Sequence, residues 1–326
     1  MNRRNFVNER NDVGIKISVI ICTYNRAESL KRALNSIIEM SVPEDLSWEL
    51  IIVDNNSSDN TKEVVEKFKT ESGLNVSYVF EKEQGLSNAR NRGVKEAKGE
   101  IIAFIDDDVI VDRNWLINIH KAFEIYNPVV IGGKVLIHIE SPVPKWFSNA
   151  VSDPLGGFDR GDNIIVADNQ YNGMIGIGAN MSFKREIFDK VGFFKTDLGR
   201  KGNKLGMGEE TDLYWRIKNH GGKCIYYPSA IVYHCIDSKK MTKNYIRKWF
   251  FKIGEWYYYS DMLLMKGANS KILGIPWCRY KKAFRNLLGL LWYCLRNSRA
   301  DVFSREVSII FFLGYCFKRV KTFFAH

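Results

Sequence analysis

The first hundred residues alternate between short unbroken apolar runs and segments whose apolar positions recur at helical spacing. "KISVIICTY" (16–24) reads as a strand buried on both faces, and after it Leu30, Ala33, Leu34, Ile37 and Ile38 fall on one side of a helix. The pair of signals repeats: "WELIIVD" precedes a helix carrying Val64, Val65 and Phe68, and "NVSYVFE" precedes "LSNARNRGVKEA". "EIIAFID" makes a fourth strand. Such alternation predicts right-handed βαβ units, hence an α/β fold with a mainly parallel sheet flanked by helices. Further on, "DRNWLINIHKAFEIY" predicts a helix capped by Asp112, with Trp115, Leu116, Ile119 and Phe123 inward. "GANMSFK" reads as a strand, residues 208–220 as a helix and "KCIYYPSAIVYH" as a closing strand. Residues 141–175 hold three prolines and several glycines without a period, which predicts a long functional loop.

The polar punctuation of this pattern falls at the carboxyl ends of the strands, where open α/β sheets bind their ligands. Strand one ends in Thr23, Tyr24 and Asn25, strand two in Asp54, Asn55 and Asn56, strand three in Glu81, and strand four in Asp106, Asp107 and Asp108. Two carboxylates about 4 Å apart repel by roughly 4 kcal/mol at an effective dielectric of about 20, so three in a row call for a compensating charge. A hard cation such as Mg²⁺ or Mn²⁺, shared with phosphate oxygens, would supply it. Continued strand alternation puts Asp106 and Asp108 on one face and turns Asp107 to the other. No Walker-type glycine-rich loop occurs, and "GIGAN" (176–180) is too short for a dinucleotide fingerprint.

Charge divides the chain. From residue 239 onward 18 Lys and Arg face 4 Asp and Glu, whereas residues 1–238 hold 30 against 33. The shift near "HCIDSKK" marks a boundary, giving a polar tail (1–14), a near-neutral catalytic domain (15–238) and a basic, aromatic-rich helical extension (239–326). Apolar runs in the extension reach only about eleven residues before a charge, short of the ~20 that span a bilayer. Basic flanks with Trp, Phe and Leu suit helices lying in an anionic membrane interface, and a packed subdomain or a dimer interface is the alternative. No recognition motif accompanies the charge, so nucleic acid is not an expected partner. The six cysteines form no CxxC pair, and "MNRRNFVNERNDVG" has no apolar stretch to serve as a signal peptide. The expected location is cytoplasmic, peripheral on the inner face of the cell membrane.

Taken in order, "SVIICTYNRAESL", "IIVDNNSSDNT", "EQGLSNARNRG", "FIDDD" and "GMGEETDLYWRIKNHGG" resemble family 2 glycosyltransferases of the GT-A type over about residues 15–238. The resemblance implies a nucleotide-sugar donor, a UDP-sugar first among them, held by Thr23, Tyr24, Arg26, Asp54, Arg90, Asp106 and Asp107. It places a divalent cation, Mn²⁺ or Mg²⁺, on Asp108 with Asp106 and His234. Glu209 and Glu210 fall on the family's Glu-Asp pair, with Glu210 where the catalytic base stands and one methylene longer than the commoner Asp. A sugar hydroxyl needs such a carboxylate to take its proton. Asp212 and Arg216, one turn on, would brace that helix. Singly, each residue has a plainer reading: Asp54 a turn former, Arg90 a solvated helix residue, His234 a packed histidine, and the two glutamates first-turn acids on a helix dipole.

Together they imply an inverting, metal-dependent transfer of a sugar to an acceptor hydroxyl. The basic tail suggests a lipid-linked or cell-surface glycan acceptor, as in polysaccharide biosynthesis, with residues 141–175 and "GIGANMSF" on the acceptor side. Two rivals share the carboxylates: a nucleotidyltransferase using them for metal-assisted phosphoryl chemistry, and a non-catalytic scaffold that binds glycan or membrane.

Overall fold

The four apolar runs are β1 (Ile17–Thr23), β2 (Trp48–Asp54), β3 (Val76–Phe80) and β4 (Ile101–Asp106), connected by α1 (Ala27–Ile38), α2 (Thr61–Ser72) and α3 (Leu86–Glu96). The computed structural model describes residues 14–140, 142–167, 173–202, 206–264, 271–296 and 298–324. The strands lie side by side as β3-β2-β1-β4, all parallel. Because helices cover both faces, β1 is buried along nearly its whole length rather than at alternate positions. α1 turns Leu30, Ala33, Leu34 and Ile37 inward, and Ile38 at its end stays in solvent.

β5 (Val109–Val111), α4 (Trp115–Tyr126), β6 (Val130–Ile139), β7 (Ile165–Ala167), β8 (Asn180–Lys184), α5 (Ile187–Val191), α6 (Glu209–Asn219) and β9 (Cys224–Ile236) complete the domain. From β4 the sheet continues as β8-β6-β9-β5; β8 runs antiparallel to both neighbours and β6 parallel to β9, while β7 also pairs with β9. α4 starts later than its predicted cap. Asn114 holds the N-cap position, and Asp112 instead accepts the Asn114 N–H at 2.9 Å in a turn that precedes the helix.

The β6–β9 register slips between Gly133 and Lys134, a bulge that leaves ladder carbonyls unpaired. Asn180 of β8, only 1% exposed, repairs it. Its Nδ2 donates to Lys134 O (3.0 Å) and Ala230 O (2.8 Å), and its Oδ1 accepts the indole N–H of Trp115 at 2.9 Å. One amide therefore ties three strands to α4 and satisfies the backbone groups that the bulge would bury unpaired.

The chain leaves the sheet at Ile236 and continues as α7 (Lys243–Leu264), a small hairpin of β10 (Lys271–Ile272) and β11 (Ile275–Pro276), α8 (Trp277–Leu295) and α9 (Arg299–Phe323). α7 and α8 both pack on α9. Ile246 of α7 and Phe303 and Val307 of α9 join Val151, Leu155 and Ile236 in one apolar cluster, which seats the extension on the catalytic sheet. Each fully buried side chain of this kind contributes roughly 1.5–3 kcal/mol. No helix among the described residues is long and apolar enough to cross a membrane.

Candidate active site

Sheet register gathers the polar strand ends. Thr23 pairs with Asp54 and Cys22 with Asp106, so β1, β2 and β4 finish at one edge. β4 stops at Asp106. The chain then turns through Asp107 and Asp108 before β5 sets Val109 opposite His234 of β9. The Cys235 N–H donates to the Asp108 carbonyl at 2.9 Å, locking His234 beside the acid it serves.

That turn overturns the expected shared face of Asp106 and Asp108, because strand alternation ends where the strand does. Asp107 and Asp108 converge instead: one Arg26 nitrogen donates to Asp107 Oδ1 at 2.7 Å and to Asp108 Oδ2 at 2.9 Å. Asp107 also accepts from Thr23 Oγ1 at 2.8 Å. Lys240 Nζ donates to Asp108 Oδ2 at 3.1 Å, and His234 Nε2 lies 2.9 Å from Asp108 Oδ1. The compensating charge that the triplet requires thus comes in large part from the protein itself. Burial lifts the Asp107 carboxyl to about 6. Burial also works on Asp108, but there the charge and hydrogen bond of His234, with Lys240 and Arg26, hold the carboxyl well below the ordinary range.

Asp106 faces the other way. Its Oδ1 lies 3.7 Å from Arg90 of α3, whose guanidinium is packed against the rings of Phe104 and Phe194. Arg90 donates to Glu209 Oε1 at 2.9 Å and stands 3.9 Å from Glu210 Oε1. Burial first, and the charge of Glu210 second, push the Glu209 carboxyl up to about 8 against the pull of Arg90. Glu209 Oε2 is buried with no hydrogen-bond partner among the described residues, a place that disfavours the charged carboxylate. Glu210 is more open and accepts the Gly178 N–H at 3.2 Å. A Cβ on Gly178 would lie 2.0 Å from Arg90 and 2.8 Å from Glu210, so "GIGAN" carries a glycine there for close approach. Asp212 and Arg216 brace α6: they pair at 2.7 Å, and Arg216 also donates to Phe193 O at 2.8 Å.

A cavity of about 840 Å³ joins these groups. Thr23, Tyr24, Arg26, Arg90, Asp106, Asp107, Asp108, His234, Glu209 and Glu210 all line it. Asp54 does not. It is 3% exposed, with Oδ1 accepting the Ser57 N–H and Oδ2 the Tyr78 hydroxyl, each at 2.8 Å. The loop contributes Asp153, Pro154, Phe158 and Arg160 to the lining; positions 141 and 168–172 lie outside the described residues.

Sequence reasoning missed the far wall. Trp249, Phe250, Trp256 and Tyr257 of α7, Lys282 and Asn286 of α8, and Phe311 and Phe312 of α9 line the same cavity. Trp256 packs onto Gly208, which has φ +99° and whose Cβ would stand 2.1 Å from the indole nitrogen. The turn that launches Glu209 and Glu210 is therefore shaped by the extension. Lys240 was missed as well, although "SKK" following the histidine strand was its one trace in the sequence.

A mixed sheet whose parallel strands end in clustered acids, faced by a helix that opens on two glutamates, is the GT-A glycosyltransferase fold. The mannosyltransferase PcManGT from Pyrobaculum calidifontis, solved in complex with GDP-Man and Mn²⁺, has this fold: it superposes with a TM-score of 0.55 at 17% identity, covering 90% of this chain and 87% of its own. The Haloferax volcanii glucosyl-dolichyl phosphate glucuronosyltransferase is 30% identical over 227 residues, 68% of this chain and 69% of the relative. The succinoglycan biosynthesis protein ExoM of Rhizobium meliloti is 26% identical over 243 residues, 74% of each chain. The profile of glycosyl transferase family 2 matches residues 18–192, and the chain belongs to that family.

Proposed function

We propose that this glycosyltransferase moves a sugar from a nucleoside diphosphate donor, a UDP-sugar first among candidates, to a hydroxyl of a lipid-linked or polysaccharide acceptor, with inversion at the anomeric carbon. The observation that carries the reading is the convergence of Asp106, Asp108 and Glu210 on one cavity. Glu210 takes the proton of the acceptor hydroxyl as its oxygen bonds to the anomeric carbon; the bond from that carbon to the diphosphate breaks on the other face. Gly178 and Arg90 hold Glu210 in position. Arg90 and Glu209 form the buried support, with Glu209 protonated. Thr23 and Arg26 fix Asp107 and Asp108, and Tyr24 lies beside them on the donor side.

The donor types suit a hard divalent ion, although no three His, Cys, Asp or Glu among the described residues are already gathered to hold one. His234 Nδ1 lies 2.5 Å from the Leu155 carbonyl, which only accepts, so Nδ1 carries the proton there. Nε2 faces the Asp108 carboxylate: it donates there when the ring carries a second proton, and offers a lone pair to an ion when the ring is neutral. With Nδ1 tied to the Leu155 carbonyl, the ring is oriented as metal-ligating histidines are. Asp108 and His234 would hold Mn²⁺ or Mg²⁺, and Asp106, which faces Arg90 at 3.7 Å, would have to turn toward them to join. An ion held there would supply positive charge against the departing diphosphate.

The acceptor class draws support from the Haloferax relative, whose name gives a dolichyl phosphate substrate, and from ExoM, named for a polysaccharide. The test is a panel of nucleotide sugars with Mn²⁺ or Mg²⁺, scored for nucleoside diphosphate release by the native chain and by Glu210→Gln. Release by the native chain and a drop in turnover of about 10² or more in the variant, at little-changed donor KM, is expected. Equal turnover in the variant would remove Glu210 as base, and pyrophosphate release from a nucleoside triphosphate would point to a nucleotidyltransferase instead.

A further inference from the structure

α8 has two opposed rows. Trp277, Phe284, Leu288, Leu291 and Leu295, spaced 7, 4, 3 and 4 apart, share one face of the helix and are 42%, 62%, 52%, 59% and 86% exposed. The opposite row packs on α9, where Arg305 donates to Asn286 Oδ1 at 2.9 Å and lies over the ring of Tyr293. An outward row of this size on a helix already packed on its other side is a surface with work to do. A second exposed apolar group borders the start of α8: Arg319 donates to the carbonyl of Leu273, which is 82% exposed, and lies over Phe323, 64% exposed.

We propose that the outward face of α8 docks on an anionic lipid bilayer. Charge chooses this occupant. Lys281, Arg285 and Arg296 flank the row, and no Asp or Glu occurs between Trp277 and Arg296. The few acids of the extension are engaged elsewhere: Asp261 with Arg279, Glu306 with Arg247, Glu255 with Lys252, and Asp301 with Ser298. The basic flank is therefore left to face anionic headgroups, while Trp277 and Trp292 supply amphipathic rings suited to the interface. A second copy of the chain meeting face to face would set the same uncompensated cations against each other, which disfavours a two-fold dimer here.

Docking on this face carries the active site to the lipid. Lys282 and Asn286, on the flank and inner side of the same helix, line the catalytic cavity. An acceptor anchored in the bilayer would then enter along α8, with its phosphate passing Lys282. This delivery step rests on the transferase reading; the docking does not.

Flotation of the full chain with phosphatidylcholine vesicles, with and without phosphatidylglycerol, tests the surface. The native chain should float with the anionic vesicles, and both Leu288→Glu/Leu291→Glu and Lys281→Glu/Arg285→Glu should weaken binding at least about tenfold while leaving donor hydrolysis intact. Native protein that ignores anionic vesicles, or variants that float as well as native, overturn the proposal. So does sedimentation velocity that finds the leucine pair disrupting a dimer with no vesicle binding in the native chain. Should the leucine variant fail to fold, brominated lipid is used on the native chain: quenching of its tryptophan fluorescence, lost in Trp277→Phe/Trp292→Phe, supports docking, and no quenching refutes it. Vesicle binding without donor hydrolysis would remove the transferase reading alone; hydrolysis without vesicle binding would remove the docking surface alone.

Discussion

Arg90 and Glu209 meet at 2.9 Å, with 3% and 4% of their side chains exposed, and through them α3 of the donor half grips the first turn of α6. The pair is buried and shared with Glu210, so its halves are not independent. Taking away the cation of such a buried cluster typically costs about 3–5 kcal/mol, because the acids it serves beside Glu209, Asp106 and Glu210, lose their shared counter-charge. Arg90→Met should therefore lower stability by about that amount in urea denaturation, and Arg90→Met/Glu209→Met by clearly less, although both variants lose transfer activity.

The same pair sets a pH dependence. The Glu209 carboxyl, ordinarily 4.5, rises to about 8 in the folded protein. Between these values the folded chain keeps a proton that the unfolded chain has released. The contribution of Glu209 is thus fully present below about 4.5 and is lost as pH rises toward 8. Urea midpoints of the native chain should decline across that window. Glu209→Gln, neutral throughout, should show a shallower decline; an unchanged slope would mean that Glu209 titrates normally.

Asp108 is the acid on which Arg26, His234 and Lys240 converge. Asp108→Asn should reduce turnover by about 10² or more and abolish Mn²⁺ binding seen by electron paramagnetic resonance. Chelation of the native enzyme should reproduce the activity loss, and added Mn²⁺ or Mg²⁺ should restore it.

Gly178 offers a test of positioning apart from charge. Gly178→Ala adds one methyl group where Arg90 and Glu210 now stand. Displacing a base by about 1 Å can cost up to about 10² in rate. The variant should lose turnover while keeping donor affinity, and a variant with native turnover would mean that Glu210 need not sit where it does.

Asn180→Ala leaves the Trp115 indole, Lys134 O and Ala230 O without their partner. Each unsatisfied buried group costs about 1–3 kcal/mol, so the loss should exceed that of any surface substitution, as read by a thermal melt.

The donor half of the fold was legible because β1 to β4 are local signals: each apolar run is closed by polar residues, and each helix carries its own period. β6 escaped because Gly132 and Gly133 break its apolar run in the middle. The aspartate triplet was recognised as chemistry but not as a turn, since alternation can be read only while a strand lasts. In the sequence Asp54 reads as a donor residue, and in the fold its oxygens accept from Ser57 and Tyr78 away from the cavity lining. Lys240 and Trp256 were out of reach for another reason. Lys240 meets Asp108 across 132 positions, and contacts between such distant segments leave no periodicity to read.

The seat of Trp256 on Gly208 bears on how such enzymes diversify. A chain cut after residue 238 would retain the sheet and the acids that face the diphosphate while losing one wall of the reaction chamber, so it should fail as a minimal enzyme. By the same logic, exchanging the last three helices for those of a cousin would retune which molecule receives the sugar and leave the handling of the leaving group untouched. Such an exchange would have to keep the indole on Gly208, because that contact shapes the turn from which the two glutamates rise.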